Sequence, residues 1–574
     1  MADLCYSIIV IKKSKLHLIF ILALVVPFFI PAISLADVLG DQKTFNVESQ
    51  FDRFSRSSVA ATLRTISDNA YFYVEDQYWN NLNSVEQRVF NADMKELANE
   101  FETVIYPKER QFWGSEPNPG IDNDPKITIL FEELTRNYGG YFETVNLAPK
   151  TRAGESNERE MFVVSAQSLD TDVVKNFLAH EFQHLISYNQ KELTRKTIED
   201  VWLNELRSEY AVSLLGYNNI YSGSNLERRV QSFVSNPSDS LTEWPNVAID
   251  YAMVTVFGEY LVDRFSSSML NETLHYPSYG IPSLNQYLTS KGVSFNDVFM
   301  DWMAAVYLNN QSVDPRFGYT RSDLVQIKVQ SQSQVFISDS INYNSGASLK
   351  DWQPYWSEFQ LTGVSDSKSL KFDINSFGQN FLASYVAYYH DGSVEVKRIP
   401  VASNKATGYV PNSSGKKLNK VVLLLAKAQK IVDFGKDEPA STVSIQASMI
   451  DNSVVESQTL KDGVLIKRPR ESEIYVIWGK YKRYLHPDVI RLYGHLDPSK
   501  AIEVEPEIFN SYQTANYVRN VNEQKVYAIW PDGTKHWMNI TAQHWDATGR
   551  DWNAIFIIND LELNFYRIGP DIRQ

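Results

Sequence analysis

The sequence predicts a multidomain α+β protein. The residue pattern changes twice along the chain. It is mixed α/β up to about residue 170 and mostly helical to about 325, and it consists of short alternating strand-like runs from about 330. A length of 574 residues is enough for three to four domains of about 150 residues each. The 43% hydrophobic and 22% charged contents are those of an ordinary globular chain with buried cores.

Each of these three regions is predicted from local residue patterns. Turn residues separate apolar runs in the first part, and apolar residues recur at three-and-four spacing in the second. The predicted strands of the first part are 60–67, 71–75, 127–131 and 162–165, and its predicted helix is 84–105. The predicted helices of the second part are 173–190, with Asp170 or Asp172 as its cap, and then 202–210, 226–234, 250–265 and 299–308.

The helix at 173–190 carries His180-Glu181-Phe182-Gln183-His184. Residues four apart lie on one face of a helix, so the two imidazoles can hold one ion. Glu181 is then next to the first imidazole, where its carboxylate can reach a water on that ion. This is the HExxH arrangement of zinc hydrolases, with the glutamate as general base. The alternative is a chance match on an ordinary amphipathic helix.

A third ligand follows at Glu205, 21 residues after His184. Two histidines and one carboxylate, with a fourth position left to water, form a catalytic rather than a structural zinc site. Glu209, one helical turn later, can accept the free ring N–H of a ligating histidine and fix its tautomer. The preceding Asn204 completes an Asn-Glu pair. A solvated acidic helix face is the competing interpretation of Glu205 and Glu209.

HExxH followed about twenty residues later by Asn-Glu resembles the gluzincin, thermolysin-like metallopeptidases. Over about residues 55–310 the chain resembles the hyicolysin-like secreted bacterial neutral metallopeptidases, through the motifs above and through the stretches 120–125, 139–142, 157–162 and 202–210. The resemblance implies a thermolysin-like zincin unit, made of a mixed sheet and a helical subdomain, that binds Zn²⁺. Leu206 departs from the pattern, because such families often have glycine after the third ligand.

The resemblance also implies the cleft residues. Gly139-Gly140-Tyr141-Phe142 is similar to the edge strand that lines the cleft, where Gly140 and Tyr141 would meet the substrate backbone. A simple hairpin turn is the alternative. Tyr251, which opens a helix, is similar to the phenol that donates a hydrogen bond to the oxyanion. Tyr210 and Tyr141 are rivals for that role.

A second ion site is suggested by Asp122-Asn123-Asp124, which follows Pro119-Gly120. Oxygen ligands gathered in a turn can bind Ca²⁺. The alternative is an aspartate-rich turn without an ion. The sequence therefore predicts Asp122 and Asp124 as candidate calcium ligands.

Residues 1–36 have the pattern of an export signal. Lys12, Lys13 and Lys15 precede an apolar run at 18–33, and Ser34-Leu35-Ala36 offers small residues for cleavage after Ala36. An uncleaved anchor is the alternative. The only cysteine of the chain, Cys5, falls in this segment, so we expect a mature protein without disulfides. The net charge of −14 argues against nucleic acid as a partner, and we expect no membrane span in the mature chain.

The C-terminal half is predicted to be β-rich. Residues 330–450 have the spacing of an antiparallel β-sandwich. Residues 451–574 contain a weak repeat, in which 474–478 recurs 52 residues later as 526–530 and 482–485 recurs 53 residues later as 535–538. Each copy predicts a β-hairpin with aromatic residues on one side. Exposed aromatic rings can bind cell-envelope glycans, although aromatic residues of a small core have the same pattern.

These patterns predict five segments and one main function. The segments are a signal peptide (1–36), the α/β part (37–170) and the helical part (171–325) of a catalytic domain, a β-sandwich (330–450) and a hairpin-repeat domain (451–574). The predicted function is a secreted zinc endopeptidase acting on polypeptides. The alternatives are an exported envelope- or glycan-binding protein with a vestigial peptidase fold, and a zinc enzyme that acts as an aminopeptidase or on a non-peptide bond.

Overall fold

The structure is a computed structural model that describes residues 36–136, 138–169, 171–430, 438–452, 460, 462–504, 509–510 and 512–573. The predicted signal peptide, apart from Ala36, and the predicted helix cap Asp170 lie outside these residues. Within the described residues, none of the helices combines the length and the apolarity needed to cross a bilayer.

A six-stranded mixed sheet forms the first layer of the N-terminal half. Its order is β1-β2-β3-β4-β6-β5; β3, β4 and β6 run parallel, and β5 lies antiparallel at the end of the sheet. The central strands consist of apolar residues because both sheet faces are covered. The strands are β1 (Gln42–Asn46), β2 (Ser58–Ile66), β3 (Ala70–Glu75), β4 (Ile127–Glu132), β5 (Gly140–Phe142) and β6 (Met161–Ser165).

Ten helices accompany this sheet, and the largest apolar core lies between them and one sheet face. Helix α4 packs against β5, β6 and α5, and α5 packs against α7, so the predicted ligands share one interior. The helices are α1 (Asp76–Asn81), α2 (Ser84–Glu100), α3 (Tyr106–Trp113), α4 (Val174–Tyr188), α5 (Val201–Leu214), α6 (Asn225–Ser235), α7 (Ala248–Phe265), α8 (Ser268–Leu274), α9 (Gly280–Ser290) and α10 (Phe295–Leu308).

Two helix boundaries differ from the sequence prediction. The helix predicted at 84–105 is α2 followed by a π-helical turn, Phe101–Ile105, which leads into α3. Helix α4 likewise ends in a π-helical turn, Asn189–Leu193. Its N-cap is Val173 with no side-chain cap, so the predicted Asp172 cap is wrong. The turn in which Val174 N–H donates to Thr171 O leads the chain into the helix instead.

Ten strands of the C-terminal half form two five-stranded sheets around a shared apolar core. All pairs are antiparallel except β7 with β9, which run parallel, so the purely antiparallel prediction is wrong for this edge. The sheet orders are β13-β14-β10-β16-β8 and β12-β11-β15-β9-β7. The strands are β7 (Ser333–Ile337), β8 (Tyr343–Leu349), β9 (Tyr355–Leu361), β10 (Lys368–Asn375), β11 (Phe381–Tyr389), β12 (Val394–Ile399), β13 (Val401–Ala402), β14 (Lys405–Val410), β15 (Leu418–Lys427) and β16 (Ser441–Asp451).

The second of these sheets is buried on both faces. Alternate residues of β11 and β15 point to opposite sides, and Val386, Val422 and Leu424 belong to the same core as α10. Trp356 Nε1 donates to Met303 O of α10 at 3.1 Å. The β-sandwich therefore packs directly on the helical part.

The C-terminal segment contains two copies of one topology. In each copy three consecutive antiparallel strands form a meander, and a short strand runs parallel to each of its two outer strands. Trp478 and Trp530, 52 residues apart, are 56% and 49% exposed. The elements are β17 (Leu465–Lys467), β18 (Ile474–Trp478), β19 (Tyr481–Leu485), α11 (Pro487–Ile490), β20 (Ile502–Glu503), β21 (Gln513–Thr514), β22 (Tyr517–Asn520), β23 (Val526–Ile529), β24 (Thr534–Asn539), α12 (Ala542–Ala547), β25 (Ile555–Ile558), α13 (Asp560–Phe565), β26 (Arg567–Ile568) and β27 (Ile572–Arg573).

Candidate metal centre

Three side chains from α4 and α5 converge on one point. His180 Nε2 lies 3.0 Å from Glu205 Oε2 and 3.1 Å from His184 Nε2. The distance from His184 Nε2 to Glu205 Oε2 is 3.5 Å. One ligand atom of each residue lies within 4.8 Å of the other two. The helical spacing of 180 and 184 and the packing of α5 on α4 thus produce a three-ligand set with an open side.

The chemistry of this donor set fits zinc. Two neutral imidazoles and one carboxylate are the ligands of catalytic zinc sites. Burial alone would raise the pKa of Glu205, but the nearby imidazoles of His184 and His180 outweigh burial and lower the pKa to about 2. Glu205 is therefore an ionised ligand at neutral pH. Among the described residues, this is the one group of three or more histidines, cysteines or carboxylates that can hold an ion.

Glu209 contacts the ring nitrogen of His180 that does not face the other two candidate ligands. His180 Nδ1 lies 3.4 Å from Glu209 Oε1, which favours a proton on Nδ1 and leaves Nε2 free to ligate. Glu209 also accepts hydrogen bonds from Arg229, Asn225 and Thr255. Burial opposes ionisation of Glu209, but the Arg229 guanidinium holds its pKa well below the usual range. Of these three partners of Glu209, the sequence analysis singled out none.

His184 has a different orienting group. Ser208 Oγ donates to Gln183 Oε1 at 2.6 Å and lies 3.1 Å from His184 Nδ1. Since the Ser208 proton is used on Gln183, Nδ1–H of His184 is the donor in the second contact. Nε2 of His184 therefore has its lone pair directed at the ligand set. Gln183 lies inside HExxH, so its position in the motif is the signal that could have identified it.

Glu181 lies beside β5 at the edge of the ligand set. It is 6% exposed, and burial raises the pKa of its carboxyl against the effect of the two imidazoles. A Cβ added to Gly140 would lie 3.0 Å from Glu181 Oε1 and 2.7 Å from Val163 O. A Cβ on Gly139 would overlap the Phe177 ring at 2.3 Å. The two glycines therefore let β5 approach α4 closely enough to contact Glu181.

The three candidate phenols lie in different places. The ring of Tyr251 lies 6.2 Å from that of His180, and its hydroxyl donates to Asn246 Oδ1 at 2.9 Å. Tyr141 Oη donates to buried Glu132 at 2.9 Å. Tyr210 packs against Trp113, with ring centroids 6.5 Å apart. Only Tyr251 among the three has its ring in contact range of a ligand imidazole.

Tyr251 stays protonated at any physiological pH. Burial, followed by the Glu205 and Glu181 carboxylates, raises its pKa far above the usual value of a phenol. Arg229 lies over its ring, with the guanidinium carbon 4.7 Å from the centroid. The hydroxyl is therefore a hydrogen-bond donor next to the ligand set.

The candidate ligands border a cleft of about 450 Å³. Phe142, the last residue of the predicted cleft strand, stacks on His184 with centroids 6.3 Å apart. Asn204 also lines the cleft, and its Oδ1 is buried without a hydrogen-bond partner. Leu206, at the position where related families often have glycine, is buried against Gly258, whose added Cβ would lie 3.1 Å away. The missing glycine is thus compensated on α7.

The predicted calcium site has a different arrangement. Asp122 Oδ1 accepts from Asp124 N–H at 2.9 Å, which is an aspartate turn. Asp124 accepts from Lys126 N–H and from Tyr71 Oη. The two carboxylates are not part of the ion-holding group found among the described residues. These contacts match the alternative of a turn without an ion, and calcium is not supported.

Comparisons with known proteins place the chain near one metalloprotease. No family model matches the sequence. Two of the solved structures that match it each cover 21% of the chain: the pre-peptidase C-terminal domain of a Bacillus anthracis collagenase (11% identical, 97% of that chain, TM-score 0.15) and PliG, a periplasmic inhibitor of g-type lysozyme from Aeromonas hydrophila (8% identical, 99% of that chain, TM-score 0.14). TM-scores this low say nothing further about the fold.

A curated relative is the neutral metalloprotease ShpI of Staphylococcus hyicus. It is 27% identical over 226 residues, which are 35% of this chain and 47% of ShpI. The chain thus spans about half the length of this relative. The similarity supports a metalloprotease family for the chain.

Proposed function

We propose that the protein is an exported zinc endopeptidase of the gluzincin type, related to the hyicolysin-like neutral metallopeptidases. The observation that carries the proposal is the convergence of His180, His184 and Glu205 beside Glu181 in an open cleft. The similarity to ShpI supports the protease class, and the chemistry of the donor set supports zinc.

His180 and His184, as neutral imidazoles, and ionised Glu205 would hold the ion. When bound, Zn²⁺ lowers the pKa of water toward about 7 and polarises a carbonyl. Glu181 takes the proton of the attacking water and returns it to the leaving amine. Tyr251 Oη donates a hydrogen bond to the oxyanion that develops on the scissile carbonyl oxygen. Glu209 and Ser208 keep the two imidazoles in the ligating tautomer.

The open edge of β5 supports a polypeptide substrate. β5 ends the sheet and pairs with β6 on one side, so its other edge offers backbone groups to an extended peptide. Gly140 allows close approach, and Phe142 next to His184 can contact a substrate side chain. The proposed role of Tyr141 is limited to its backbone, because its hydroxyl is bonded to Glu132.

Metal analysis combined with casein hydrolysis tests the proposal. We expect one zinc per chain, hydrolysis that a chelator abolishes, and recovery on adding zinc. Glu181→Gln should retain zinc and lose activity by about two to four orders of magnitude. Glu272→Gln, on the exposed face of α8, is the control and should behave as the native protein. Near-native activity of the Glu181 variant would refute the assigned base.

Two measurements separate the alternatives. Cleavage of an N-terminally blocked peptide as fast as the free peptide supports an endopeptidase, whereas a strict need for the free amine indicates an aminopeptidase.

The equivalent exposure of Trp478 and Trp530 supports a further proposal, glycan attachment through the repeats. Sedimentation with isolated cell wall should then fall when both residues are replaced by alanine.

A further inference from the structure

Asp37 is buried between exposed residues near the start of the described chain. It is 7% exposed, whereas Val38 and Leu39 are 62% and 66% exposed, and Ala36 is also exposed. The Asp37 side chain is therefore buried within a chain segment whose neighbouring side chains are exposed to solvent. Such burial of a charge requires partners.

The carboxylate of Asp37 has three partners. Lys43 Nζ lies at 2.8 Å, Arg159 Nη1 at 2.6 Å, and Tyr73 Oη donates at 2.8 Å. Burial raises the pKa of this carboxyl, but the Arg159 and Lys43 hydrogen bonds outweigh it, so the pKa is lowered. The side chain is fully ionised and fully paired.

The backbone nitrogen of Asp37 begins a second series of hydrogen bonds. Its N–H donates to Tyr71 Oη at 3.2 Å, and Tyr71 Oη in turn donates to Asp124 Oδ2 at 2.8 Å. Asp124 is 8% exposed, and its carboxylate keeps the phenol proton on its own side. The lone pairs of Tyr71 are thus available to the nitrogen of Asp37.

The residues after Asp37 belong to the folded domain. β1 pairs with β2 along its full length, and Asn46 exchanges backbone hydrogen bonds with the Asn157 side chain, at 2.9 Å in each direction. Removing residues 37–55 as a propeptide would take away an edge strand of the sheet. A mature N-terminus in front of β1 preserves it.

We propose that a signal peptidase hydrolyses the Ala36–Asp37 bond during export and that the new α-ammonium of Asp37 binds at Tyr71 and Asp124. In the hydrolysis the C–N bond breaks, the water hydroxyl goes to the Ala36 carbonyl carbon and its proton to the nitrogen, and the amine takes a further proton from solvent. Because Asp37 is buried, cleavage precedes folding. The proposal rests on the export part of the proposed function and is independent of zinc.

The site suits an ammonium better than a peptide N–H. Cleavage turns one donor into three, so the nitrogen can keep its hydrogen bond to Tyr71 Oη and donate two more. The added positive charge lies next to the Asp37 carboxylate, which two cations already pair, and is linked to the Asp124 carboxylate through the Tyr71 hydroxyl.

Two measurements test the site. The mass of the exported protein should correspond to a chain that begins at Asp37; a chain that begins elsewhere overturns the proposal. Chains that begin at Asp37 and at Ala36 are then released from a cleavable fusion. We expect the Asp37 chain to have a Tm higher by about 2 °C, and this difference to vanish in Tyr71→Phe. The difference should persist in Tyr343→Phe, a control in the β-sandwich.

Equal Tm values for the two chains with Tyr71 present would also overturn the proposal. If Tyr71→Phe does not fold, Asp124→Asn is measured in both chains instead. A smaller Tm difference than in the native pair supports binding through Tyr71, and an unchanged difference overturns it. Loss of casein hydrolysis affects neither readout, so failure of the enzyme proposal is distinguishable from failure of this one.

Discussion

At the scale of single residues, the site depends on which protons are fixed. Glu209 and Ser208 fix the tautomers of His180 and His184, and Tyr251 has a pKa so high that it acts only as a donor. The proposed role of holding the ion and the proposed role of stabilising the oxyanion therefore fall to different residues. Variants of the two groups should have different signatures.

Tyr251→Phe should lower kcat by about 10²-fold, because one oxyanion donor is lost. KM and zinc content should change little, since no ligand or orienting group is touched. Steady-state kinetics on a blocked peptide, with metal analysis, measures this. Tyr210→Phe is the control; an equal loss of kcat in the control would contradict the assignment.

Glu132→Gln should alter how stability depends on pH. Burial, with Asp52 and Glu75 nearby, raises the pKa of Glu132 to about 8. The folded state thus keeps a proton that the unfolded state loses above about pH 4.3, and the free energy of unfolding falls between about pH 5 and 8. The glutamine variant should escape this fall and gain at least about 1 kcal/mol at pH 8 relative to pH 5.

Urea denaturation of both proteins at pH 5 and pH 8 checks the sign. Glu272→Gln, which removes an exposed carboxylate, should show the native pH dependence. A glutamine variant that loses stability with pH as the native protein does would show that Glu132 is ionised in the fold.

The sequence predicted individual residues unevenly. His180, Glu181 and His184 could be found because helical spacing brings residues four apart to one face. Glu205 lies on a different helix, α5, and was found from its position 21 residues after His184 and from the Asn204-Glu205 pair. The choice among Tyr141, Tyr210 and Tyr251 could not be made, since it depends on strand facing and helix packing over 40 to 110 positions. Arg229 and Ser208 were missed because their contacts with Glu209 and His184 are tertiary.

At the scale of elements, α6 acts as a support for the ligand helices. Its Arg229 forms two hydrogen bonds with Glu209, at 2.9 and 2.7 Å, and covers the Tyr251 ring. α6 thus links a residue behind one ligand with the proposed oxyanion donor. Neither contact follows from the amphipathic pattern of α6, which indicates only the face that packs on the core.

Arg229→Gln should weaken zinc retention by about 10-fold or more, because Glu209 loses its counter-charge and holds His180 less firmly. Competition with a chromogenic chelator measures the affinity. Arg88→Gln, which removes the same charge from exposed α2, should leave it unchanged. Unaltered zinc affinity in the Arg229 variant would mean that α6 has no role in the metal site.

Element boundaries show where sequence patterns end. Long helices such as α7 and α10 were located because their apolar periodicity is long. The π-helical turns at Phe101–Ile105 and Asn189–Leu193 were not, since a change from one backbone hydrogen-bond pattern to another leaves little trace in side-chain periodicity.

At the scale of the whole molecule, the β-sandwich and the helical part share one core. Trp352 and Trp356 lie among α10 residues, with the Trp352 ring 4.9 Å from Phe295 and 5.2 Å from Phe299. Lys350 pairs with Glu243 in the loop that leads to α7 and Tyr251. The sequence predicted a boundary near 330 only from a change in residue pattern. Such a change contains no information on packing across the boundary.

A chain that ends at 452 should therefore keep casein hydrolysis, whereas one that ends at 330 should be insoluble. The shorter chain would expose Phe295 and Phe299 of α10, which now pack on Trp352, and contiguous exposed apolar surface promotes aggregation. Solubility, light scattering and activity of the two truncated proteins measure this. An active, monomeric 37–330 chain would show that the helical part needs no support from the sandwich.

The lack of space at Gly140 also bears on how distant relatives are sorted. In a chain that retains HExxH but has a larger residue at this strand position, the new Cβ would overlap the Val163 carbonyl at 2.7 Å and press on the glutamate at 3.0 Å. The strand and the glutamate must then move apart. The glycine therefore identifies, outside the motif itself, chains in which the edge strand can lie as close to HExxH as it does here.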